Sequence, residues 1–231
     1  MATAFWVFNG SDGTITPTVY QKLYSNGAYL CHPYSLYMKF DTNQLNTLIK
    51  SRRSTFPRQY APGAQVDDAI VQQLLENANW APNHKLTEPW RFTIFTGKGL
   101  QTFAQLQASV YKNASGDAFK EDQYQKLLST PLLASHIISI GMKRHAEKNL
   151  PEFEEIAAVA CAVQNMYLTA AAYDIGCYWS TGGVTQQEGV KPFFGLEAQD
   201  KLMGFFYVGV IAVPSPAGQR GAIADKVQWI R

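Results

Sequence analysis

Residues 205–213 read Phe205-Phe206-Tyr207-Val208-Gly209-Val210-Ile211-Ala212-Val213, apolar at nearly every position. A strand with one wet face alternates apolar and polar side chains, so a run without alternation needs cover on both faces. The segment predicts a central strand between helical layers, and the rest of the chain must supply its neighbours and its cover. Residues 137–142 read as a second buried strand. Phe92-Thr93-Ile94-Phe95 alternates like a half-buried one, and residues 177–180 form a short fourth.

The helical patterns lie between these strands. Leu45, Leu48 and Ile49 fall at i, i+3 and i+4 on a short helix that delivers Arg52 and Arg53. Asp67 is placed to cap a helix whose stripe is Ile70, Leu74, Leu75 and Ala78, and Pro82 ends it. Gly97 and Gly99 turn the chain into a helix over 100–111, followed by another over 119–128. Pro151 in a first turn, then Glu152, Glu154 and Glu155, marks the start of a long helix through Val159, Val163, Met166, Tyr167 and Ala170. That helix is rich in small residues and apolar over a wide arc, which predicts burial against a partner. Gly176 suits the left-handed position that closes it. The mixture is α+β, one sheet packed between helices.

Composition narrows the function. Apolar residues make up 46% and charged residues 16% of 231, which excludes a disordered chain and fits one substantial core. A net charge of +2 with scattered cations gives no footprint for nucleic acid. Cys31, Cys161 and Cys177 cannot all pair within the chain, and none sits in a C-x-x-C arrangement. His32, His84, His136 and His145 lack ligand spacing, so no metal site is expected. No stretch approaches the roughly 20 apolar residues of a membrane span, and the N-terminus makes a poor signal peptide; a cytoplasmic location is expected. Residues 1–37 are rich in Tyr, Ser and Gly, hold one cation (Lys22) and one anion (Asp12), and show no sustained period. They read as a leader or extension ahead of a domain over 38–231, with Met38 as the natural start. Abundant peptides from 1–37 in mass spectrometry of the native protein would sink that reading.

Two segments carry chemistry. Arg52-Arg53-Ser54, at the end of a short helix, gathers two guanidinium forks and a hydroxyl, groups that match a phosphate bidentately. Alone, the triplet reads equally as solvated arginines favoured by the helix dipole. Residues 80–90 weaken that reading: Trp80, Pro82, His84, Pro89 and Trp90 form a stiff aromatic loop able to border a planar ring system.

With these residues in view, the chain from about residue 45 to 231 resembles the FMN-dependent nitroreductase family. The matching elements stand in family order: Arg52-Arg53-Ser54, then Ala81-Pro82-Asn83-His84 with Pro89-Trp90-Arg91-Phe92, the helix over 154–166, Gly176-Cys177-Tyr178-Trp179-Ser180-Thr181-Gly182, and a basic C-terminal segment. The resemblance implies a central mixed β-sheet flanked by helices in an intertwined homodimer, with each of two FMN sites built from both subunits. It assigns phosphate and ribityl contacts to Arg52, Arg53 and Ser54, and flavin-lining positions to Trp80 and His84. Trp179, Ser180 and Thr181 fall on the strand end that approaches the isoalloxazine ring, and Arg220 on a basic pair that reaches the phosphate. Related sequences also carry a basic residue in place of Trp80 and of Ser180, and Gln219 lacks the charge of the family pair.

The implied activity is reduction of nitroaromatic, quinone or similar electron-poor acceptors by NAD(P)H in a ping-pong cycle, with no essential side-chain acid or base. Lys85 and Arg91 are chemically able to stabilise reduced flavin. No G-x-G-x-x-G fingerprint is present, so the nicotinamide donor should dock transiently. Enoate reduction, dehalogenation and flavin fragmentation on the same scaffold, or a non-catalytic flavin-binding redox protein, are the alternatives.

Overall fold

The computed structural model describes Phe5–Phe8, Ile15–Thr18 and residues 40–231. The chain divides into two units, Met1–Thr42 and Asn43–Arg231. In the first, β1 (Phe5–Phe8) pairs antiparallel with β2 (Ile15–Thr18). The rest of the predicted leader, Cys31 and His32 included, lies outside the described residues, as does Met38, the expected start of the domain.

The second unit holds a four-stranded sheet in the order β3 (Trp90–Thr96), β4 (His136–Met142), β6 (Lys201–Val210), β5 (Ile175–Ser180). All three pairings are antiparallel, where a mixed sheet was expected. Unbroken apolar runs report that both faces are covered; they do not report strand direction. β4 is buried along its whole length, and β6 over most of it.

Helices α2 (Asp68–Asn79) and α5 (Glu152–Ala172) cover one face. There Leu74, Val159, Val163 and Met166 pack against Ile138, Ile140, Phe206 and Val208. On the other face α3 (Lys98–Ser115) sets Phe103 against Phe95, Ile137, Phe205 and Tyr207, with Val184, Val190 and Phe194 beside them. α4 (Glu121–Ser129) packs on α3, and α1 (Thr42–Ser51) buries none of its residues. Asp67 caps α2 as expected, its carboxylate accepting from the Ala69 N–H at 2.8 Å.

Three boundaries differ from expectation. Pro151 is the N-cap of α5, one position before its first turn. The left-handed residue after α5 is Asp174, at φ 53°, while Gly176 lies inside β5. Gly176 is there for space, since a Cβ would come within about 3 Å of Tyr60, Ile211 and Thr55. The strand foreseen over 205–213 runs from Lys201 to Val210. Beyond it, Ala212 and Val213 donate to the Gln59 carbonyl at 2.9 and 3.0 Å, so the chain exchanges its sheet partner for the segment that follows α1.

The start of α5 is anchored by buried charge. Glu155, 1% exposed, pairs with Arg144 and accepts the His145 N–H at 3.1 Å. Asp200, fully buried, accepts the Arg144 and Glu197 N–H groups at 2.8 Å each. Carboxylates this deep persist only when paired and hydrogen-bonded, and these two tie α5 to the ends of β4 and β6. Among the described residues, no helix is long and apolar enough to cross a membrane, and no group of three His, Cys, Asp or Glu could hold a metal ion.

Candidate active site

Residues 52–61 leave α1 and run along the ends of β5 and β6. The Thr55 N–H donates to the Cys177 carbonyl and the Ala61 N–H to the Val210 carbonyl, both at 2.8 Å. Tyr60 lies directly over Gly209, where any side chain would collide with its ring, and its hydroxyl donates to the Tyr207 carbonyl at 3.2 Å. This strap sets Arg52 and Ser54 against Tyr167 of α5.

Tyr167 of α5 is the hub. Its hydroxyl accepts the Trp179 N–H at 2.7 Å and lies 3.4 Å from Ser54 Oγ. The Arg52 guanidinium sits over its ring, 4.9 Å from the centroid. Burial raises the Tyr167 hydroxyl above the ordinary phenol range, partly offset by its bonds to Ser54 and Trp179. Arg53 turns the other way: it donates to the Lys50 and Arg52 carbonyls at 2.7 Å each and to the Pro216 carbonyl at 3.3 Å. Its guanidinium fills the space over Gly218, two residues before Arg220. Arg220 is exposed and donates to the adjoining Gln219 carbonyl. Ser215 closes the group, donating to the Ser54 carbonyl at 2.9 Å.

Thus Arg52, Arg53, Ser54 and Trp179 come together, with Arg220 close by in sequence to the segment they touch. Ser180 and Thr181 continue from Trp179. Trp179 packs its indole over Gly204, where a Cβ would strike both the indole and the Ser180 carbonyl. Gly204, at φ 139°, adjoins the register shift between β4 and β6 that makes this approach possible. The buried ring N–H of Trp179 has no acceptor among the described residues.

Trp80 and His84 lie elsewhere. Trp80 is 78% exposed and donates to Glu76 at 3.1 Å. His84 Nδ1 lies 2.6 Å from Glu154 in the first turn of α5, and Lys85 donates to the Lys148 carbonyl at 2.9 Å. Lys85, Leu86 and Glu88 all take positive φ, giving the loop a stiff, tightly turned backbone. Arg91 donates to the Glu88 and Trp90 carbonyls beside that loop. Glu154 and Tyr167 are thirteen residues apart on one helix, so about 20 Å separates His84 from the Arg52 cluster, whereas Trp80 follows the end of α2, where Asn77 donates to Thr169 at 2.8 Å.

A cleft of about 690 Å³ opens on the α3 face of the sheet, opposite Tyr167 and Trp179, bordered by Phe56, Arg58, Lys126, Tyr178, Ser180 and Gly182 among others. That volume is in the range of small-molecule sites. The donor set around Arg52 has the chemistry to hold a phosphorylated cofactor. Among the described residues, Arg52, Arg53 and Arg220 have no carboxylate within ion-pair distance. Arg52, with the Ser54 and Ser215 hydroxyls nearby, is a group able to hold an anion, while Arg53 is engaged with three backbone carbonyls. Sequence reasoning missed Tyr167 and Ser215: the first scans as one more position on the α5 stripe, and the second as an ordinary loop serine.

The profile described as "Nitroreductase family" matches residues 49–210. The Escherichia coli K12 protein named "Putative NAD(P)H nitroreductase YdjA" is 29% identical over 180 residues, 74% of this chain and 94% of that one. A nitroreductase-like family protein from Bacillus cereus superposes with a TM-score of 0.67 at 24% identity, over 84% of this chain and 98% of that one. A nitroreductase with bound FMN from Bacteroides fragilis NCTC 9343 gives 0.61 at 20% identity, over 82% and 100%. With the profile spanning the strap, the sheet and the long helix that frame the site, this chain belongs to the nitroreductase family.

Proposed function

We propose that the protein is an FMN-dependent oxidoreductase of the cytoplasm that uses NAD(P)H to reduce nitroaromatic, quinone or similarly electron-poor acceptors in two alternating half-reactions. The observation that carries this reading is the Arg52 guanidinium, seated on the Tyr167 ring beside Ser54 with no carboxylate partner among the described residues, and the likewise unpaired Arg220. FMN, when bound, supplies the electron chemistry, taking hydride from the nicotinamide and passing two electrons to the acceptor. Arg52 and Arg220 hold the phosphate, with Arg53 bracing the segment that carries Arg220. Ser54 meets the ribityl chain, and the Trp179–Ser180–Thr181 strand end borders the ring. No side chain is required as acid or base; the residues bind, orient and exclude water.

Trp80 and His84 enter the site from a second copy. His84 stands about 20 Å along α5 from Arg52, too far to be gathered by one chain around one ring edge, and Trp80 faces solvent, 78% exposed. The apolar side chains that α1 leaves exposed, Leu45 and Ile49, and the C-terminal Ile223, Trp229 and Ile230 give such a copy surfaces to cover. The NAD(P)H name of the Escherichia coli relative and the FMN of the Bacteroides fragilis protein support the same cofactors here.

The test is direct. Purified protein should be yellow, its flavin band bleached by NADH or NADPH without oxygen and restored by menadione or nitrofurazone. A colourless protein that fails to take up FMN rejects the reading. Bleaching without acceptor turnover would favour a redox-sensing flavoprotein instead.

A further inference from the structure

The cleft beside Ser180 has a chemical character that flavin binding leaves unused. One wall is aromatic: the Phe56 and Tyr178 rings meet at 4.6 Å between centroids, and Tyr207 lies 6.3 Å beyond Tyr178. Such faces suit a planar ring. The polar rim carries two cations, Arg58 from the strap and Lys126 from the last turn of α4, and none of the lining residues is acidic. Neither cation forms an ion pair with a described residue, although Asp122 stands one turn before Lys126 on the same helix. Two of the three lining amides are engaged: Gln59 donates to the Val213 carbonyl at 3.1 Å and Gln107 to the Leu127 carbonyl at 2.7 Å. The two cations are the charged groups of the lining, with the neutral Gln123, Thr130 and Ser180 beside them.

We infer that this cleft selects planar aromatic anions, with an aromatic carboxylate as the type, laying the ring on Phe56 and Tyr178 and turning the charge toward Arg58 and Lys126. Because Ser180 and Gly182 border both the cleft and the strand end assigned to the flavin ring, these anions are the preferred acceptors; that part rests on the flavin reading. A neutral quinone would fill the aromatic wall and leave the cations unmatched. A bare inorganic anion would meet the cations and leave the wall wet.

The experiment compares 4-nitrobenzoate with its uncharged isostere 4-nitrobenzamide, by calorimetric binding to the purified protein and by kcat/KM. The carboxylate should win by about tenfold or more, the effect of one charge-assisted contact. Arg58→Gln and Lys126→Gln should each shrink the carboxylate-to-amide ratio severalfold, while Arg58→Lys and Lys126→Arg retain most of it. Equal binding of the two probes, or a ratio that survives the double glutamine variant, overturns the proposal. So does displacement of 4-nitrobenzoate by millimolar inorganic phosphate, which would make the site one for a bare anion. A raised KM for NADH with an unmoved ratio would hand the cleft to the electron donor and overturn it as well. Calorimetry needs no turnover, so the two readings fail separately: a colourless protein that keeps the preference rejects FMN and upholds the cleft. A yellow, active protein without the preference does the reverse.

Discussion

Arg52 and Arg53 are neighbours in sequence with different fates. Arg52 rests on the Tyr167 ring and makes no hydrogen bond among the described residues, so its fork is free for an anion. Arg53 is spent on three backbone carbonyls. Arg52→Ala should therefore weaken FMN retention by roughly 1.5 to 3 kcal/mol, read by equilibrium dialysis. Arg53→Ala should cost less affinity and more stability, since it frees the segment at Pro216. Equal effects of the two on FMN binding would contradict this division. Tyr167→Phe removes the acceptor of the Trp179 N–H and should lower stability by about 1 to 3 kcal/mol in urea titration, while the ring under Arg52 remains. The arginines were legible in the sequence because a guanidinium pair with a hydroxyl advertises an anion. Tyr167 was not, because on a helix the spacing of an apolar stripe says nothing about which member carries a hydroxyl to a distant strand.

At the level of elements, the sequence announced which segments would be strands and helices through their periods, and β4, β6 and α5 were the plainest. It was silent on direction and on the exact use of glycine. Gly176, assigned by type to a helix end, lies in β5 because Tyr60 and Thr55 crowd its Cα. That neighbour arrives from over a hundred residues earlier, so no local pattern encodes it. Gly209, beneath the Tyr60 ring, is the sharpest example. Gly209→Ala should displace the strap and cost about 1 to 3 kcal/mol. Because the strap positions Arg52 and Ser54, FMN affinity should fall with stability; a variant with native stability and native FMN affinity would refute this link.

For the molecule as a whole, burial sets an alkaline limit on stability. The Cys177 thiol and the Tyr60, Tyr167 and Tyr207 hydroxyls are all raised above their ordinary values by desolvation. Each stays protonated in the folded protein at a pH where the unfolded chain ionises. Their stabilising effect is complete below the unfolded values and declines as pH rises past about 8.5 for the thiol and about 10 for the phenols. Stability in urea titration should be flat between about pH 7 and 8 and fall above that, by up to about 1.4 kcal/mol per pH unit for each group. Cys177→Ala should remove the first part of the decline, and a midpoint constant to pH 11 would refute it.

The 20 Å of α5 between Glu154 and Tyr167 carries a genetic consequence. If each flavin takes its phosphate grip from one copy and its Trp80 loop from the other, damage in the two places is separable. Arg52→Ala protein mixed with a variant altered at both Trp80 and His84, then unfolded and reassembled together, should regain activity that neither parent has. In each hybrid pair one site would be doubly crippled and the other wholly wild type.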